Sequence, residues 1–133
     1  MNISDLLAIS GLPGMFKLIG NRANGLIVED LSNGKRRFVS ARKHQFSPLE
    51  SISIYTLEDT VALRDIFVIM RDKEATHPII PHKSAPHELF QYFEEILPDF
   101  DEDRVKPQDI KKVIQWYGYL KNLDLLYSSD EEE

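Results

Sequence analysis

The hydrophobic period changes once along this chain, near residue 58, and that change fixes the fold class. Upstream, apolar residues come in short runs separated by Gly, Asn and Pro. Downstream, Leu63, Ile66, Phe67 and Met70 follow the i, i+3, i+4, i+7 spacing of an amphipathic helix. Short strands followed by helices read as an α+β fold. The expected layout is a small antiparallel sheet or SH3-like barrel over residues 1–57, a three-helix module over 58–127 and an acidic end over 128–133.

Asn2 is read as the N-cap of a short helix that stops at Gly11-Leu12-Pro13-Gly14. Met15–Ile19 forms a strand, closed by the turn residues of 20–25. Leu26–Leu31 and Arg36–Ala41 flank Asn33-Gly34, the signature of a type I′ hairpin. That turn sets Val28 opposite Val39, Leu26 opposite Ala41 and Asp30 opposite Arg37. Ser47-Pro48-Leu49-Glu50 has the form of a capping box with proline at N1, and Ile52–Thr56 gives a last strand of the β module. Helices are expected over Thr60–Lys73, Pro86–Leu97 and from Pro107 onward. The third carries Ile110, Val113, Ile114, Tyr117 and Leu120 on one stripe. Each stripe needs a partner among the other helices and the sheet. No Gly- or Ser-rich linker lies at 57–60, which argues for one continuous two-part domain.

Composition excludes several chemistries. The 133 residues contain no cysteine, so there is no disulfide framework, thiolate nucleophile or Cys-based zinc site. Apolar runs are far shorter than the ~20 residues that span a bilayer. Met1–Asp5 lacks the basic start of a signal peptide, and the expected location is the cytoplasm. The net charge of −6 is unevenly spread. Residues 1–57 carry seven Lys/Arg against four Asp/Glu, a balance of +3; residues 58–133 carry nine against eighteen, a balance of −9.

The stretches Ile9–Leu18, Asn24–Glu29 and Ser47–Tyr55, with Glu88–Pro98, Asp103-Arg104-Val105 and Asp109–Tyr117 in the helical half, resemble a small family of Bacteroidetes proteins without an assigned activity. The resemblance covers nearly the whole chain. It implies a bacterial cytoplasmic protein with an N-terminal β module and a C-terminal helical module, and it brings no catalytic residues.

Catalytic signatures are thin. No serine sits in a Gly-x-Ser-x-Gly elbow, and neither a phosphate-binding loop nor a Rossmann glycine pattern is present. Asp99, Asp101 and Asp103 start like a calcium loop, but Arg104 replaces the turn glycine and Ile110 the bidentate glutamate. His77, His82 and His87 recur every five residues in a proline-rich stretch, a spacing unlike that of helical zinc ligands. The chain is therefore read as a non-enzyme without metal, cofactor, membrane span or small-molecule substrate. Its expected partner is another protein or a second copy, reached through Trp116 and Tyr119, which fall off the third helix's apolar stripe. The alternative is a nucleic-acid-associated module using Lys35, Arg36, Arg37, Arg42 and Lys43.

Overall fold

Asn2 caps no helix. Its Oδ1 accepts the Ser4 amide at 2.9 Å, a local turn, and the chain then enters strand β1 (Leu6–Ile9). β1 lies between two partners, β2 (Leu12–Arg22) and β5 (Phe46–Pro48). Leu7 and Ile9 enter the sheet core and Leu6, on the other face, is buried as well; burial on both faces accounts for the unbroken apolar run Leu6-Leu7-Ala8-Ile9. These positions come from a computed structural model that describes residues 1–126, so the acidic end expected over 128–133 lies outside the described residues.

The sheet is antiparallel and open, in the order β4-β3-β2-β1-β5, with β3 at Gly25–Asp30 and β4 at Arg36–Ser40. β4 and β5 are its edges, so the sheet alternative holds rather than a closed barrel. β2 runs on through Gly20-Asn21, where the sequence places a turn, by absorbing a register shift between Leu18 and Gly20. Gly11 makes the β1–β2 turn with φ +78°.

The β3–β4 hairpin forms two residues out of the expected register. Leu26 faces Val39, Val28 faces Arg37, and Glu29 faces Arg36. Asp30 causes the offset. Its carboxylate accepts the Ser32 amide at 2.9 Å, and its carbonyl accepts the amides of Asn33 and Gly34 at 3.3 and 2.7 Å. Those bonds build a five-residue loop in place of a two-residue turn. An offset of two preserves the side on which each residue points. Val28 and Val39 therefore still meet the core of Leu7, Ile9 and Phe16, with Leu18, Leu26 and Phe46 around it.

Ser47 does not cap the following turn. Pro48 belongs to β5, and a single 3-10 turn covers Leu49–Ser51 without a side-chain cap. Residues 2–52 close as one compact unit. Met1 and the chain from Ser53 form the second. The boundary falls there because β6 (Ser53–Tyr55) pairs with β7 (Thr60–Ala62), not with the five-stranded sheet. β7 takes the first three residues of the stretch expected to be helical, so α1 spans Leu63–Lys73.

α2 (Pro86–Ile96) and α3 (Pro107–Asn122) both start at proline, as expected. Each first turn is closed from N3: Glu88 accepts the Ala85 amide at 3.1 Å and Asp109 that of Lys106 at 3.0 Å. Every stripe residue named above for α1 and α3 is buried, each such side chain contributing about 1.5–3 kcal/mol. α2 packs against both other helices. The Asp99–Asp103 loop serves this packing: Phe100 meets Phe93 edge-on at 5.1 Å, and Tyr55's carbonyl accepts the Asp101 amide at 2.9 Å. Among the described residues no helix is long and apolar enough to cross a membrane.

Candidate functional site

The connection between α1 and α2 contains Pro78, Pro81 and Pro86 and cannot be helical. Its residues instead wall two grooves that share Ile80. The first groove, about 370 Å³, lies between Ile79–His82 and α3. Ile79, Ile80, Pro81 and Ile114 make its sides apolar, Tyr119 closes one wall, and His82, Gln115 and Asn122 supply polar atoms.

Gly118 also lines this groove. A glycine inside a helix costs about 1 kcal/mol relative to alanine, so it needs a local reason. A Cβ built on Gly118 meets nothing within 4 Å. Internal packing therefore does not require the glycine, and its effect is to leave the helix backbone bare on the groove side. The signals for this groove were Ile79-Ile80 inside a proline-rich stretch and a lone glycine in a helical pattern.

The second groove, about 480 Å³, is more polar. His77 Nε2 lies 3.5 Å from Glu95 Oε2, and its Nδ1 is 3.0 Å from Thr76 Oγ1. Tyr92 forms part of the wall, and its phenol is pushed up to about 12, by burial first and then by the charges of Glu74 and Glu95. His82 belongs to the other groove and His87 sits exposed at the start of α2. Among the described residues no three His, Asp or Glu side chains gather into a metal-binding group.

The two aromatics expected to act together are separated in role. Tyr119 lines the first groove, whereas Trp116, also half-buried, lines neither. The expected basic set stays together in the sheet unit. Arg36 and Arg37 occupy edge strand β4, Lys35 precedes it, and Arg42 and Lys43 follow in the next turn, all exposed.

Two family models divide the chain almost where the fold does. Residues 3–49 match a domain of unknown function (DUF5606) and residues 52–120 a second (DUF6852). The chain belongs to the DUF6852 family. A solution NMR structure from Bacteroides vulgatus, a structural genomics target, is 35% identical over 93% of this chain and 89% of its own, with a TM-score of 0.75. No curated protein matches. The family resemblance drawn from the residues thus holds across both units. In DUF6852 terms the first groove lies within the family domain except for Asn122, since Ile79–His82 and Ile114–Tyr119 fall inside residues 52–120.

Proposed function

We propose that this DUF6852 protein is a non-catalytic binding module whose helical unit docks an apolar segment of a partner protein in the groove between Ile79–His82 and α3. Gly118 carries the reading. A helix-interior glycine with open space before it lets a partner's side chain approach the α3 backbone, with Tyr119 as an aromatic wall. Aromatic anchors in apolar pockets contribute disproportionately to protein interfaces. The polar rim of His82, Gln115 and Asn122 suits hydrogen bonds to the partner's main chain. Glu74 and Tyr92, whose protonation the fold displaces, are bound into helix packing, which favours a binding role over proton transfer. A cysteine-free chain suits a reducing compartment such as the cytoplasm.

The experiment compares partner capture by the wild type, Gly118→Leu and Tyr119→Ala, with helical circular dichroism as the folding control. Leu at 118 fills the groove without touching the core. A protein captured by the wild type and lost from both folded variants supports the reading. Equal capture by Gly118→Leu removes the groove from it. Light scattering on the same samples tells a second copy from a different partner.

A further inference from the structure

We infer that the outer face of strands β2, β3 and β4 is a binding platform for single-stranded nucleic acid, with Phe38 as the base-stacking ring. This goes beyond the groove reading and rests on the other unit alone.

The strand register builds the face in three rows. Lys17, Glu29 and Arg36 face one another across β2, β3 and β4. Gly20, Ile27 and Phe38 form the next row, and Arg22, Gly25 and Ser40 the third. These residues alternate with the core positions Leu26, Val28 and Val39, so they lie on the opposite side of the sheet. An apolar row is thus bracketed by cations from β2 and β4.

Phe38 is 46% exposed, although a large apolar side chain gains by burial. Its ring tip reaches over Gly25: a Cβ there would lie 2.9 Å from Phe38 Cζ. The ring is held against the sheet at that end while the rest stays open to solvent. Tyr55, the other exposed aromatic among the described residues, already has Arg104 5.0 Å from its ring centre.

The charge around this ring is positive and largely uncommitted. Arg36 is partly engaged by Glu29 at 3.4 Å. Among the described residues, Lys35, Arg42 and Lys43 have no carboxylate partner; Arg37, opposite Val28, belongs to the other side of the sheet. Aromatic rings flanked by Lys and Arg on a β surface bind single strands by stacking bases and neutralising phosphates, largely without regard to sequence. A duplex keeps its bases stacked inside and gives Phe38 nothing to stack on. An acidic polypeptide such as polyglutamate could use the cations but offers the ring no base to stack on.

Fluorescence anisotropy with the full chain and a labelled oligothymidylate of roughly 12 nucleotides tests this. Binding at low salt is expected, and the logarithm of affinity should fall with that of salt with a slope of about −3 if four phosphates are neutralised. Phe38→Ala, at an exposed site, should weaken binding roughly 5- to 100-fold with the slope unchanged. The triple variant Arg36→Ala, Arg42→Ala, Lys43→Ala should flatten the slope. Absence of binding at low salt in the folded wild type overturns the inference. So does affinity for the oligonucleotide that Phe38→Ala leaves intact, or that polyglutamate or a duplex matches, since the face is then a general electrostatic patch.

Discussion

Tyr117 donates its phenol proton to Glu74 Oε1 at 2.9 Å, joining the middle of α3 to the residue that ends α1. Lys121, one turn further along α3, donates to Oε2 of the same carboxylate at 3.0 Å. The Lys121 bond, with help from Tyr117 and against partial burial, holds the Glu74 carboxyl below its ordinary value. A depressed carboxyl stabilises the fold above its unfolded pKa, near 4.5, and that contribution disappears as pH falls through the folded value. Urea unfolding should therefore show stability falling with pH in the acid range, and falling less steeply in Glu74→Gln. Glu74→Ala should cost about 1.5–3 kcal/mol at neutral pH, the range for hydrogen bonds to a charged group. Lys121→Met, at an exposed site, should cost under about 1 kcal/mol.

The hairpin register has its own test in charge coupling. Glu29 and Arg36 are opposite each other with a 3.4 Å contact, whereas Asp30 is committed to its loop. A double-mutant cycle at Glu29 and Arg36 should give a coupling of about 0.2–1 kcal/mol. The same cycle at Asp30 and Arg37 should give none. Coupling found in the second pair and missing from the first would restore the two-residue turn.

The helical half was readable because periodicity and punctuation agreed there. Pro86 and Pro107 open their helices, and the stripe from Ile110 to Leu120 is buried as its spacing demands. The β half was readable only for facing. Val28 and Val39 point inward in either register, and no pattern in the sequence states that Asp30 would spend its carboxylate and carbonyl on the loop. Leu6–Ile9 carried a helix-cap signal from Asn2, which long-range pairing with β2 and β5 overrode. Of the candidate residues, Tyr119 and the basic set were legible as off-stripe or clustered. Gly118's place in the groove was not, because it depends on empty space formed by a stretch some 36 residues earlier, around His82.

Gly25 is held by close approach rather than by an unusual turn. A Cβ there would collide with the Val39 carbonyl oxygen as well as the Phe38 ring. The carbonyl belongs to the paired strand and cannot yield without breaking the hairpin. Gly25→Ala should cost about 1–3 kcal/mol, as overpacking does, with a matching drop in Tm. Gly20→Ala is the control. Its nearest neighbour is the Arg22 side chain at 3.7 Å, an ordinary contact, so it should stay within about 0.5 kcal/mol of the wild type.

Tyr92 makes the alkaline limb of stability informative. Burial in α2, with Glu74 and Glu95 nearby, pushes its phenol up to about 12 from an ordinary 10.0. The neutral ring is the form the fold accepts, so its contribution is complete below pH 10 and is lost as pH rises from there towards 12. Absorbance at the phenolate band should then show Tyr92 contributing a late component near pH 12. Tyr92→Phe should diminish that component by one tyrosine and slow the loss of helical signal over the same range, because phenylalanine has no proton to release. A late component undiminished in Tyr92→Phe would assign it to another tyrosine.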